Sequence, residues 1–384
     1  MSVEVEELLF EMIKIESHQE TEGHEQRFAE FLKDYLEKEG VVVELREVVD
    51  GRCNLIATVE GDDPGPVLML NGHMDTVPPY DMEHPFQPYL ENGRIYGRGS
   101  VDMKGALAAM TVVTKDIYQN RENMRGTLLF TATIGEENYS PGAYELVKDG
   151  VRADYAIVGE PTNMEIGIAH KGVVWGEAIF EGEAVHGSTP FKGINAIYKA
   201  TDWIQKVRRD YLPRIRQNRH ALLGESTMNI GEISGGTRPV IVPARCEVKF
   251  EQRLLPGEKE SDVIDGLQQM IEELKQEDPE MKGVVHESAV FNGVPHRSLE
   301  TDSNSRIVHS LKRAYSKEFD QDTEVIGLGF WTDGALFGEV DGVDVVVCGP
   351  GDIAQAHSDN EFIDRDQLQA AYRMYYDVVT DVCK

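Results

Sequence analysis

The sequence predicts an α/β protein interrupted by a smaller α+β domain. Three observations carry that reading. Short apolar strands in the first half of the chain each stop at an acidic or histidine-containing loop, as in open α/β sheets that present a site at their strand ends. The pattern changes after Lys171 to strands separated by helical stretches, and the earlier style returns near the C-terminus. The length of 384 residues exceeds what one hydrophobic core usually sustains.

Taken in order, the apolar spacing of Leu8, Leu9, Met12, Ile13 and Ile15, and then of Phe28, Phe31 and Leu32, predicts two opening helices. Strands are expected at Val41 to Leu45, Asn54 to Val59 and Val67 to Leu70, the last running into Asn71, Gly72 and His73. A helix from Lys104 to about Ile117 follows. Thr127 to Ile134 then predicts a buried strand ending at Glu136 and Glu137, and Ala153 to Val158 one ending at Gly159, Glu160 and Pro161. Beyond Lys171, strands are expected at Val173 to Phe180, Met228 to Ile233 and Ala244 to Phe250, with helices around Asn195 to Lys206 and Ser261 to Lys275. A helix near Arg306 to Lys317, a strand at Val345 to Val347 and a last helix from about Arg365 complete the outer domain. The expected division is residues 1–171, an insertion over 172–290, and 291–384.

Composition narrows the functional classes. Sixty-eight acids against 38 Lys and Arg give a formal charge of −30, which disfavours a phosphate backbone or an anionic membrane as partner. The acidic N-terminal segment lacks the basic and apolar stretches of a secretory signal, and no later run is long enough to span a bilayer, so a cytoplasmic location is expected. Cys53, Cys246, Cys348 and Cys383 are too scattered for a zinc knuckle or a redox pair and are read as buried or incidental thiols.

The chemistry-bearing residues cluster at the strand ends. His73 and Asp75, one residue apart beyond a strand, offer an imidazole and a carboxylate to a divalent ion, although taken alone such a pair is more commonly a hydrogen-bonded surface pair. Asp102, in Gly97-Arg98-Gly99-Ser100-Val101-Asp102-Met103-Lys104-Gly105, is either a carboxylate able to bridge two ions or a helix cap. Lys104 is expected to pair with an acid or to solvate the helix end. Glu136 and Glu137 allow one carboxylate to bind metal while the other faces water; a solvated acidic turn is the alternative. Glu160 adds an acid at the next strand end, and His357, in Ala356-His357-Ser358, closes a second site.

This constellation resembles the M20 metallopeptidase family, particularly its acetylornithine deacetylase, succinyl-diaminopimelate desuccinylase and glutamate carboxypeptidase branches. The resemblance covers almost the whole chain through Gly72-His73-Met74-Asp75-Thr76-Val77-Pro78, the Gly97 to Gly105 segment, Gly135-Glu136-Glu137, Val158-Gly159-Glu160-Pro161-Thr162 and Ala356-His357-Ser358. It implies a zinc-exopeptidase-like catalytic domain with an inserted dimerisation, or lid, domain. It implies that His73 and Glu160 hold one ion, Glu137 and His357 another, and that Asp102 bridges them, with zinc expected and cobalt or manganese possible. Asp75 is then expected behind His73, holding its ring. Glu136 is the implied general base, taking a proton from the attacking water and passing one to the departing amine.

The resemblance extends to the insertion. His186, in Val185-His186-Gly187-Ser188-Thr189-Pro190, is implied to reach the partner subunit's site and hold the oxyanion; an exposed loop histidine is the bland alternative. Arg253 is implied to clamp a substrate carboxylate, where the residue alone reads as a surface salt bridge. Asn229 matches a frequent family pattern, and Thr332 lies in a late loop beside the substrate. Val240, Phe330 and Trp331 depart from the family's usual residues. They wall a pocket or, for the aromatics, pack into the core.

The expected activity is therefore two-metal hydrolysis of the amide of an N-acyl amino acid by a homodimer. A metallo-dipeptidase or carboxypeptidase acting on a short peptide with a free C-terminal carboxylate is the alternative. A catalytically silent binding or scaffold protein predicts lost ligands, and the set here is complete.

Overall fold

A computed structural model describes residues 2–122, 124–289 and 293–384, and the expected boundary between residues 290 and 291 lies outside the described residues. The chain forms two compact units. One comprises Met1–Ala169, Leu299–Leu328 and Thr332–Lys384, the other His170–Ser298 and Gly329–Trp331.

The larger unit is built on a nine-stranded mixed sheet. Its order is Val42–Val49, Arg52–Glu60, Arg125–Thr133, Asp63–His73, Tyr155–Val158, Asp344–Val347, Ile166–His170 and Leu299–Glu300, with Val325–Leu328 also paired to Ile166–His170. The four strands Arg125–Thr133, Asp63–His73, Tyr155–Val158 and Asp344–Val347 are mutually parallel. They read as continuous apolar runs because the middle of such a sheet is covered on both faces. Met69, Leu70, Leu128, Phe130, Ile157, Val158, Val346 and Val347 are all essentially inaccessible.

The helix Gly105–Gln119 is buried from Gly105 through Ile117. Its two internal threonines accommodate burial by bonding backward, the Thr111 and Thr114 hydroxyls donating to the Leu107 and Met110 carbonyls at 2.7 and 2.8 Å. Lys104, just before it, neither meets an acid nor reaches solvent as the sequence predicts. It is fully buried, and its ammonium donates to the Met12 and Ile15 carbonyls at 3.2 and 2.6 Å. Burial lowers its pKa to about 7.

Several short strands escaped the sequence reading because two or three residues show no period. Phe362–Asp364, Arg94–Tyr96 and Tyr89–Glu91 form a separate antiparallel sheet. The expected core strand at Val67 to Leu70 is longer, starting at Asp63.

The smaller unit is a four-stranded antiparallel sheet in the order Thr227–Gly235, Arg245–Leu254, Gly172–Glu181 and Gly283–Glu287. Alternate residues Cys246, Val248, Phe250 and Leu254 turn to one face, where Trp203, Val207, Leu267 and Ile271 of the helical segments complete a core. Residues 329–331 belong with this unit: Trp331 packs on His296 at 4.3 Å between ring centroids, and its indole N–H donates to the Arg297 carbonyl at 2.9 Å. Trp331 is half-buried, resting on the His296 ring at the edge of this unit and not in its core. All four cysteines are unpaired, and among the described residues no helix is long and apolar enough to cross a membrane.

The Gly349-Pro350-Gly351 loop receives the N–H groups of Thr162, Asn163 and Met164. A Cβ at Gly349 would lie 2.1 Å from the Gly159 carbonyl and 2.5 Å from that of Glu160. Gly349→Ala is therefore expected to destabilise the chain by at least about 1–3 kcal/mol, whereas Gly329→Ala, which meets nothing within 4 Å, should leave the thermal unfolding midpoint in place. Equal midpoints for the two variants would show that the close approach is not a constraint.

Candidate metal centre

The four parallel strands of the larger unit all deliver polar residues at their C-terminal ends, the place where open α/β sheets bind ligands. Asp63–His73 ends on His73 itself, and Asp75 follows. Arg125–Thr133 leads to Glu136 and Glu137, Tyr155–Val158 to Glu160, and Asp344–Val347 through the glycine loop to His357. Asp102 arrives from the turn before the helix Gly105–Gln119, with extended backbone (φ −125°, ψ 94°), and the cap position of that helix is Lys104. The helix-cap alternative thus does not describe it.

Asp102 is the middle of the cluster. Its Oδ1 lies 3.0 Å from His73 Nε2, and its Oδ2 lies 3.2 Å from His357 Nε2. Glu160 Oε1 stands 3.6 Å from His73 Nε2, while Glu137 Oε1 stands 2.8 Å from His357 Nε2. The six side chains of His73, Asp102, Glu136, Glu137, Glu160 and His357 are thus brought together. Potential ligand atoms of His73, Glu136 and Glu160, and those of His73, Asp102 and Glu137, lie within 4.8 Å of one another. Glu136 is accordingly close to the same ligand atoms as its neighbours.

Asp75 does more than the sequence suggests. His73 Nδ1 is 2.9 Å from the main-chain carbonyl of Asp75, and the Asp75 carboxylate is farther, at 3.5 Å. Donation from Nδ1 to that carbonyl leaves the Nε2 lone pair facing Asp102. The Asp75 carboxylate itself accepts the N–H of Glu136 on Oδ1 at 3.1 Å and the N–H of Glu137 on Oδ2 at 3.0 Å. It holds the acidic turn directly, through the turn's main chain.

The electrostatics ask for positive charge. Among the described residues none of these carboxylates is paired with Lys or Arg, and buried Asp333 lies nearby, accepting the Thr133 hydroxyl at 2.9 Å. Burial, and then the neighbouring Glu160, raise Glu136 well above the usual carboxylate range; burial likewise raises Glu160, and brings Asp333 to about 6. Hydrogen bonds that the His357 ring donates to Asp102 and Glu137 carry its pKa up to about 10. Burial opposes a charge on His73, yet Glu160, Asp102 and Asp75 hold its pKa well above the ordinary value. Glu160 Oε1 is buried without a hydrogen-bond partner. Imidazole nitrogens facing carboxylates, together with an orphaned buried oxygen, fit divalent ions, and the nitrogen and oxygen donor set suits zinc, cobalt or manganese.

The remaining expected residues have different surroundings. Thr332 is fully buried, and its hydroxyl accepts the Gly334 N–H at 3.1 Å, so it organises the turn. In the smaller unit His186 is exposed, and Ser188 donates its N–H to His186 Nδ1 at 3.2 Å, which places the proton of a neutral ring on Nε2. Arg253 and Asn229 share the sheet face opposite the helices, since Thr227 pairs with Arg253 and Asn229 with Glu251. Arg253 already has an acid beside it, donating to Glu251 from Nε at 3.0 Å. Exposed Val240 accepts the Gly187 N–H at 2.7 Å, next to His186.

The sequence reading missed two buried ion pairs, Arg98 with Glu361 and Arg52 with Glu25. Glu361 lies four residues from His357 and Arg98 four residues before Asp102. Their proximity to the motifs is the only signal the sequence offers.

Comparison with known proteins agrees with this geometry. Residues 69–381 match the model of peptidase family M20/M25/M40. A protein of Staphylococcus epidermidis named a probable succinyl-diaminopimelate desuccinylase is 29% identical, over 98% of this chain and 96% of its own. An acetylornithine deacetylase of Proteus mirabilis is 29% identical over 94% and 92%. The crystal structure of the aminopeptidase PepT from Bacillus cereus superposes with a TM-score of 0.83 over 100% of this chain and 99% of that one, at 23% identity, which shows the shared fold. The chain belongs to peptidase family M20/M25/M40 and is a metal-dependent hydrolase.

Metal occupancy should show in stability. Zinc, cobalt or manganese added at about a hundredfold excess over its dissociation constant is expected to stabilise the metal-free chain by about 2.7 kcal/mol, read as a rise in the thermal midpoint. Asp102→Asn should lose most of that rise, and a midpoint unmoved by all three ions would exclude a metal centre here.

Proposed function

We propose that the chain hydrolyses the amide bond of an N-acyl amino acid, releasing a carboxylate and a free amine. The observation that carries this reading is the split of Asp102 between two histidine and glutamate groups, His73 with Glu160 and His357 with Glu137. We assign those five residues as ligands of two divalent ions, zinc by preference. Such ions supply Lewis acidity toward the amide carbonyl and the attacking water.

The chain's own groups do the rest. Glu136, with its carboxyl pushed to higher pKa by burial and by Glu160, is assigned as the general base. It takes a proton from the attacking water and returns one to the leaving amine. Asp75 keeps Glu136 in place through the Glu136 N–H. His186, with its proton on Nε2, is assigned as donor to the oxyanion in the partner subunit of a homodimer, and Arg253 as the clamp for a substrate carboxylate. Asn229, on the Arg253 face, is assigned to the same substrate end. The names of the relatives support a small acylated amino acid as substrate.

A panel of N-acetyl and N-succinyl amino acids and dipeptides, offered to the zinc-loaded chain, tests the substrate class. Turnover of an N-acyl amino acid is expected; turnover of unblocked dipeptides alone would replace this reading with a dipeptidase. Glu136→Ala should lower kcat by about 10²–10⁴-fold while two ions per chain remain on elemental analysis. Because Glu136 lies so close to His73 and Glu160, loss of an ion in that variant would make it a ligand instead. Arg253→Ala should raise KM for carboxylated substrates relative to their amides, and unchanged discrimination would remove the clamp.

A further inference from the structure

The two loops that bring acids to the centre are each anchored on a buried carboxylate lying outside it. Glu361 is 1% exposed and has four donors. Its Oε2 accepts Arg98 Nη1 at 2.7 Å and the Gly99 N–H at 2.9 Å, and its Oε1 accepts the N–H groups of Val101 at 2.9 Å and Asp102 at 3.2 Å. The pairing of Phe362 with Tyr96 and the Gly97 N–H bond to the Glu361 carbonyl set this register. Asp102 thus has its own amide tied to Glu361 while its carboxylate faces both histidines.

Glu25, also 1% exposed, does the corresponding thing for the other loop. Its Oε1 accepts the Gly135 N–H at 3.1 Å, and Arg52 grips both oxygens at 2.5 and 2.8 Å. Three successive amides, those of Gly135, Glu136 and Glu137, therefore end on two carboxylates, Glu25 and Asp75. A buried ion pair is a weak source of stability. A carboxylate surrounded by main-chain donors, however, restricts a loop to one conformation, and both loops so restricted belong to the centre.

We propose that Glu361 with Arg98, and Glu25 with Arg52, are positioning residues for the metal centre: the first pair sets the shared carboxylate Asp102, the second the Glu136–Glu137 turn. This rests on the two-metal reading above. It predicts an asymmetry that a general role in folding does not. Disturbing Glu361 displaces a group common to both ions, whereas disturbing Glu25 displaces Glu137, which serves one.

The experiment titrates metal-free full-length chain with zinc against a chromophoric chelator, resolving two stepwise affinities, with circular dichroism melts of each metal-free variant as a fold control. Glu361→Gln is expected to weaken both ions by about 10–100-fold, and Glu25→Gln to weaken one by a similar factor while leaving the other unchanged. A folded Glu361→Gln chain with two wild-type affinities, or a folded Glu25→Gln chain that weakens both ions equally, overturns the inference. Should either glutamine variant fail to fold, Arg98→Lys and Arg52→Lys decide. They keep the glutamate and are expected to show the same one-ion or two-ion pattern to a smaller degree; wild-type affinities there overturn it equally. A wild-type chain that takes up no ion defeats the two-metal reading itself, a result distinct from wild-type binding that the variants leave untouched.

Discussion

Carboxylates crowded at the ends of four parallel strands, with only imidazoles for company, set the terms for everything around them. Asp75, Asp102, Glu160 and Asp333 are buried, Glu136 and Glu137 stand half-buried beside them, and no lysine or arginine among the described residues is paired with them. Buried charge of one sign raises the pKa values of Glu136 and Glu160 and, through the neighbouring acids, those of His73 and His357. Such a site is tolerated where cations answer it. The centre's chemistry and its demand for metal are therefore one physical fact.

Holding that charge in register requires a scaffold that does not itself contribute to the ligand set. Main-chain amides supply much of it. Asp75 takes two amides of the Glu136–Glu137 turn, Glu25 takes the one before, and Glu361 takes three around Asp102. Arg52 and Arg98 pair with the supports Glu25 and Glu361 and not with the ligand carboxylates. Positive side chains are thus spent on geometry while the ligand set stays anionic and able to bind ions.

Much of the larger unit was legible in the sequence. The apolar runs of Thr127 to Ile134 and Ala153 to Val158 fit buried strands, and the acids after them marked strand ends. The helix Gly105–Gln119 was also readable. The two- and three-residue strands around Tyr96 and Phe362 were not, because elements so short are created by pairing with distant chain and carry no period of their own. Lys104 was misread for a related reason: its charge suggests solvent, yet the carbonyls of Met12 and Ile15, about ninety residues earlier, satisfy it in the interior.

By itself the sequence determined which side chains are available for metal chemistry, because ligands cluster at strand ends and strand ends can be read from local hydrophobicity. Only tertiary structure decided how Asp102 divides its two oxygens, that Asp75 holds the acidic turn, that Thr332 is sealed in, and that Glu25 and Glu361 brace the loops. Those are relations between residues tens to hundreds of positions apart. Hydrogen-bond partners at such separations are chosen by the packing of the whole sheet, and local spacing contains no record of them.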